Sequence, residues 1–177
     1  SKVSINSDGT IIAISSEPFS TASAVRVFEW NGQNWIQLGE DISSSNVQDG
    51  FGRSLSLNAS GHTIAISSEN FGVENSQIGR VQIFEWNGNS WTQKGEDLEG
   101  ETELDYFGNG VAISDDGNVV SAGARATLNQ SAGYVKVYEW EETSWVQRGS
   151  TILGNIADFY GTSTDLNDNG DFIVIGT

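Results

Sequence analysis

The 177-residue sequence contains no cysteine and no methionine, one proline (Pro18) and one histidine (His62). Without cysteine there is neither a disulfide framework nor a thiolate metal site, and such a chain is compatible with any compartment. A single histidine and the lack of a Gly-x-Ser-x-Gly elbow argue against a nucleophilic triad. His-Glu-x-x-His, phosphate-loop and dinucleotide signatures are missing as well. Basic residues are scarce: 8 Lys and Arg face 24 Asp and Glu, a formal charge of −16. That surface repels phosphate backbones and anionic lipid, so no nucleic-acid partner is expected, whereas cations are attracted. No apolar run is long enough to cross a bilayer, so no membrane insertion is expected. No signal peptide is visible, and a chain opening at Ser1 without methionine is expected to have lost its natural start.

What the chain has instead is repetition. The phrase "FEWNGQNW" at 28–35 returns as "FEWNGNSW" at 84–91 and "YEWEETSW" at 138–145. Asp-x-aromatic-Gly keeps the same beat as "DGFG" 49–52, "DYFG" 105–108 and "DFYG" 158–161. A turn signal recurs as "SDG" 7–9, "ASG" 59–61, "DDG" 115–117 and "DNG" 168–170. Three markers in one order define an array of units at approximately 1–48, 49–104 and 105–157, with a half unit at 158–177.

Each unit reads as four short strands. In the second, "SLSLN" (54–58) alternates, "HTIAIS" (62–67) is β-branched, and "RVQIFEW" (80–86) and "SWTQKG" (90–95) flank a tight turn. Polar segments such as "EDISSSNVQDGFG" and "EDLEGETELDYFG" then return the chain to the next unit. Four-stranded units at this spacing predict an all-β fold, a β-propeller of antiparallel blades with about three and a half blades present. Propellers close with four to eight blades, so the segment is expected to be a piece of a larger ring or to be completed by other copies. Residues 1–5 and 172–177 would then be covered by further protein, and Ile173 and Ile175 should be more exposed than Ile64 and Ile66.

The tryptophans Trp30 and Trp35, Trp86 and Trp91, and Trp140 and Trp145 would stand opposite each other across the hairpins. They serve either blade-to-blade packing or an aromatic platform for sugar. Val81 and Ile83 should face one side of their blade, Phe84 and Trp86 the other. Asp49, Asp105 and Asp158 either hydrogen-bond amides of their own crossover or contact a ligand. Glu29, Glu85 and Glu139 read as exposed strand carboxylates, and His62 as a surface residue. Asn58 and Asn129 head Asn-x-Ser sequons.

The order Asp-x-Phe-Gly, "SLSLN", a short turn, "AIS" or "SAGA", then "GRVQIFEWNGNSWTQKG" resembles the FG-GAP repeat, over essentially the whole chain. The same repeat type builds the propeller in the head of integrin α subunits. Phe51-Gly52, Phe107-Gly108 and the altered Tyr160-Gly161 stand at its FG, and "SAGA" (121–124) and "VIGT" (174–177) at its degenerate GAP. The resemblance implies extracellular or cell-surface proteins that bind protein or glycan, some with Ca²⁺ in the turn between the first two strands. For that turn it implies Asp165, Asn167 and Asn169 as the first three ligands, although the ninth position is Ile173 and Asp171 comes too early. The same alignment places Ile5, Leu57 and Ile113 of the other turns at the position of Asp165. A plain Asn/Asp-Gly turn is the alternative reading.

Antiparallel parity puts the short turns on one face of the disc. The variable loops 16–24, 68–79 and 124–133 and the crossovers lie on the other. The middle loop, with Phe71, Glu74 and Asn75, is the expected contact for a partner. The functional expectation is a non-catalytic adhesion or interaction module. A structural scaffold and a carbohydrate-active enzyme using acidic pairs are the alternatives.

Overall fold

The computed structural model describes residues 1–16, 23–44, 46, 48–72, 76–125, 132–156 and 159–177. Within them every regular element is a strand. The first blade holds β1 (Val3–Ile5), β2 (Ile11–Ser16), β3 (Ala24–Trp30), β4 (Trp35–Gln37) and β5 (Ile42–Ser43). The second holds β6 (Phe51–Leu57), β7 (Thr63–Ser68), β8 (Arg80–Trp86), β9 (Trp91–Gln93) and β10 (Leu98–Glu99). The third holds β11 (Val111–Ile113), β12 (Val119–Ala124), β13 (Ala132–Glu141), β14 (Ser144–Gln147) and β15 (Ile152–Ile156). A half blade, β16 (Ser163–Leu166) and β17 (Ile173–Gly176), follows. Neighbouring strands pair antiparallel throughout, so the chain is a β-propeller segment of three and a half blades.

The expected four strands per blade become five. The outer strand breaks after Gln37, Gln93 and Gln147, and a second short piece pairs with the other end of the same third strand. The expected start of a polar crossover, with Ile42 in the first unit and Leu98 in the second, is therefore buried sheet. The break is built by side chain and backbone together. Gln37 Nε2 donates to the Gly39 carbonyl at 3.1 Å and to Asp41 Oδ1 at 2.9 Å. Gln93 makes the same two bonds to Gly95 and Asp97.

The core lies between blades, as alternation requires of sheets that are covered on both sides. Val25, Val27 and Ile42 of the first blade meet Leu55, Leu57, Ile64 and Ile66 of the second, with Phe84 and Trp91 at the margin. Val81, Ile83 and Leu98 then meet Val111, Ile113, Val120 and Tyr138 of the third. Val81 and Ile83 thus face the third blade and Phe84 the first, the division that period-2 alternation predicts. Phe51 and Phe107 of the Asp-x-aromatic-Gly phrase are buried in these seams.

Backbone hydrogen bonds tie the short turns into a chain around the disc. Ser7 N donates to Ala59 O (3.2 Å), Ala59 N to Asp115 O (3.2 Å), and Asp115 N to Asp168 O (2.8 Å). Inside each turn one side-chain oxygen caps the incoming second strand. Asn6 Oδ1 accepts from Ile11 N, Asn58 Oδ1 from Thr63 N, Ser114 Oγ from Val119 N, and Asn167 Oδ1 from Phe172 N. This register corrects the alignment of the turns. Ile5, Leu57 and Ile113 correspond to Leu166, not to Asp165, because each directly precedes the capping residue and pairs with the residue after the capped amide. Asn58 is also disfavoured as a glycan acceptor, since it is buried and its Nδ2 donates to the Asp115 carbonyl at 3.2 Å. Asn129 lies outside the described residues.

Candidate functional site

Of the expected contact residues in the middle loop, Glu74 and Asn75 lie outside the described residues, as does Asp158. Phe71 is half-buried, and the guanidinium of Arg80 lies 4.1 Å from its ring centroid. Arg80 opens β8 and reaches Asp49 at 3.2 Å and Asp97 at 2.8 Å. Asp49 is fully buried and also accepts from Phe51 N at 3.1 Å and from the Ser44 hydroxyl. A buried carboxylate with an amide, a hydroxyl and a guanidinium upon it is a structural anchor.

Asp105 anchors the next crossover in the same way. It accepts from the amides of Glu101 (2.8 Å) and Thr102 (2.9 Å) and from the Tyr134 hydroxyl (2.7 Å). Burial, with the Asp105 carboxylate beside it, pushes the Tyr134 hydroxyl well above its ordinary pKa. Both aspartates thus bond amides of their own crossovers.

The residue after each aspartate carries no mark in the sequence pattern, and it is the informative one. Gly50, Tyr106 and Phe159 occupy the x of Asp-x-aromatic-Gly, with φ of 72°, 51° and 50°. The first is a glycine, for which this backbone is free; the other two are bulky aromatics, for which it is an outlier. The conformation turns the x side chain away from the seam that swallows the next aromatic. Phe159 is 52 % exposed. Tyr106 is half-buried, donates to Gln77 Oε1 at 2.5 Å and carries the Arg125 guanidinium 4.2 Å from its ring centroid. Phe71 in the variable loop of the second blade, and Tyr106 and Phe159 in the two crossovers that follow, thus place aromatic residues on the loop face. A shallow cleft of about 190 Å³ opens on the same face between Ser16, Ser23, Phe51, Arg53 and Glu69. Arg53 there bonds Glu69 at 3.0 Å, and Glu69 holds Asn109 Nδ2 at 2.7 Å.

The residues offered for calcium do not converge. Asn167 spends its oxygen on the cap of Phe172, and Asn169 accepts from Asn167 Nδ2. Asp165 folds back on the amide of Leu166, while Asp171 is held by Arg148 at 2.8 Å. Ca²⁺ needs six to eight oxygens, several of them carboxylate. Among the described residues no group of three or more acidic or histidine side chains is placed to hold a metal. The donor set does not fit the ion.

The six tryptophans are brought together in pairs, Trp30 with Trp35, Trp86 with Trp91 and Trp140 with Trp145, at centroid distances of 5.5, 5.6 and 5.2 Å. The later two pairs reach across a seam. Trp91 Nε1 donates to the Leu38 carbonyl at 2.8 Å, and Trp145 Nε1 to the Lys94 carbonyl at 2.7 Å. Those carbonyls belong to the breaks in the outer strands, so the break and the tryptophan form one joint. Glu29, Glu85 and Glu139 are exposed strand carboxylates.

No protein-family model matches the chain, and no curated protein matches it. Solved structures do. A presumed 6-phosphogluconolactonase from Bacteroides fragilis is similar at TM-score 0.61 and 13 % identity, covering 99 % of this chain and 41 % of that one. TolB from Acinetobacter baumannii is similar at TM-score 0.56 and 14 % identity, covering 99 % and 37 %. The β-propeller domain of the Trilobed protease from Pyrococcus furiosus follows at TM-score 0.51 and 14 % identity, covering 85 % and 43 %. The chain thus spans less than half the length of these structures. Identities this low establish the fold, a β-propeller, and leave activity to the residues of this chain.

Proposed function

We propose that the chain is a non-catalytic interaction module that binds protein or glycan through its loop face, within a secreted or cell-surface protein. The observation that carries the reading is the placing of Tyr106 and Phe159 at positive φ. Strain of this kind costs about 1–3 kcal/mol per residue and clusters at functional positions. The gain here is display: the exposed ring of Phe159, and Tyr106 with Arg125 beside it, suit planar apolar surfaces, whether a sugar face or a hydrophobic side chain. The FG-GAP-like order of the repeats supports a surface location and an adhesive role. The similar structures include a presumed lactonase and a protease's propeller domain by name, and at 13 and 14 % identity they carry the fold alone.

The test is a pair of glycine variants on an array of immobilised glycans and extracellular-matrix proteins. Phe159→Gly and Tyr106→Gly should keep or raise the melting temperature, because glycine relieves the strain, and should lose tenfold or more in binding. Variants that melt lower would show these rings to be packing elements. Variants that bind undiminished would move the site off the loop face.

A further inference from the structure

The opposite, short-turn face carries a second recognition element, visible when equivalent seams are laid side by side. Between the second and third blades, Lys94 projects from its Gln-x-Gly turn onto the next blade. Its ammonium lies 3.1 Å from the Gly117 carbonyl and 3.0 Å from Asn118 Oδ1, with the centroids of Trp140 and Trp145 at 5.2 and 5.5 Å. Arg148, in the following blade, does the same to the half blade: Nη1 is 3.5 Å from the Gly170 carbonyl and Nη2 2.8 Å from Asp171 Oδ1. Between the first and second blades the turn residue is Leu38, and the facing turn offers Gly61 flanked by Ser60 and His62.

The joint therefore has a donor half and a receptor half, and their chemistries match within this one chain. Where the receptor turn carries a carboxylate next to its glycine, Asp116 or Asp171, the donor is Lys94 or Arg148. Where it carries Ser60 and His62, the donor is Leu38. In the two seams between complete blades the rest of the joint is constant. The donor carbonyl takes the indole hydrogen bond, and the donor glycine presses on the rings. A Cβ on Gly39 would lie 2.5 Å from Trp86, and one on Gly95 2.6 Å from Trp140, so only glycine at φ near +78° fits.

The first blade has a complete receptor half. Trp30 and Trp35 form the tilted pair at 5.5 Å and are 40 % and 41 % exposed. Gly9 and Thr10 hold the places of Gly117 and Asn118. Asp8 stands where Asp116 does and accepts from the amide and hydroxyl of Thr10. Val3, Ile5 and Ile14, in phase with Trp30 across the sheet, extend the same apolar exposure. We infer that this face receives a blade of the same repeat type whose Gln-x-Gly turn carries lysine or arginine, the cation entering over Trp30 and Trp35 between the Gly9 carbonyl, Thr10 and Asp8. Cation–π attraction and a nearby carboxylate select the ammonium over a neutral chain of equal length, and the acidic surface of the molecule reinforces the choice.

The receptor can be probed with a small surrogate on the intact chain. The indole resonances of Trp30 and Trp35 are followed while Nα-acetyl-lysine N-methylamide or its neutral counterpart Nα-acetyl-norleucine N-methylamide is added. The lysine amide should shift both indoles saturably, and the norleucine amide should need at least tenfold higher concentration for the same shift. Asp8→Asn, in an exposed turn, should weaken the lysine response threefold or more, and Trp35→Ala should abolish it. Equal responses to the two amides, or a lysine response indifferent to Asp8→Asn, would overturn the inference.

Discussion

The seam between the first and second blades and the seam between the second and third are the same joint made with different side chains. Both use an indole-to-carbonyl bond, Trp91 to Leu38 and Trp145 to Lys94, and both press a left-handed glycine onto the rings. One is closed by a leucine, the other by an ammonium that meets four groups of the next blade. The comparison separates what holds blades together from what tells them apart. The tryptophan and glycine are common to all the units, whereas the residue between Gln and Gly varies with the turn that faces it. Burial pushes the Lys94 ammonium below the ordinary lysine pKa, against the opposing pull of Glu85 and Asp116, so the buried position works against the charge that the hydrogen bonds favour.

The largest expected effect tests the common elements. Trp145→Ala should destabilise by about 3–5 kcal/mol as a large-to-small change at a packed seam. Trp35→Ala, on the exposed pair, should cost under about 1 kcal/mol. Chemical denaturation of the two variants measures the gap, and equal costs would break the link between the tryptophans and blade packing. A smaller effect tests the variable residue. Leu38→Lys sets a charge against Ser60 and His62 with no carboxylate beside the glycine, and should cost on the order of 2 kcal/mol. Lys94→Leu, which loses charged hydrogen bonds and gains apolar burial, should cost about 1 kcal/mol. The reverse order would mean that the facing turn does not select the donor.

The smallest effect is a titration. Burial works to raise the Asp116 pKa, but hydrogen bonds from Ser114 and Asn118 and the field of Lys94 outweigh it, and the carboxyl lies below its ordinary 3.8. A depressed carboxylate contributes stability that is present above the unfolded value near 3.8 and is lost as pH falls through the folded value. Carbonyl NMR should find the Asp116 midpoint moved upward in Lys94→Leu. An unmoved midpoint would remove Lys94 from its causes.

The fold was legible because its marks are local. "FEWNGNSW" names two strands and a turn within eight residues, and the register pairs Trp86 with Trp91 as that phrase predicts. The exposure of the last strand was legible by analogy between repeats, since Ile64 and Ile66 are fully buried while Ile173 and Ile175 are partly exposed. The joint was not, because Lys94 meets Asn118 and Trp91 meets Leu38 across blades, and no periodicity within a strand reports such pairs. A signal did exist: Gln-Leu-Gly, Gln-Lys-Gly and Gln-Arg-Gly at 37–39, 93–95 and 147–149. The outer strand looks continuous in sequence because Gln37 and Gly39 fit an alternating strand until one sees the side chain closing onto the backbone. Tyr106 and Phe159 fall in the Asp-x-aromatic-Gly phrase expected in the crossovers, but nothing local there marks a positive φ, which aromatics seldom adopt.

The break in each outer strand has one more consequence, for behaviour in a crowded solution. The rim of a propeller is a ring of sheet edges, and a long flat edge templates pairing with any other extended chain. Here the outer edge of each blade is split into two pieces of two to five residues, β4 with β5, β9 with β10 and β14 with β15, parted by a left-handed glycine turn. Edges of that length offer too few free donors and acceptors to nucleate an intermolecular ladder. The turn that joins one blade to the next thereby also guards the perimeter of the disc against aggregation.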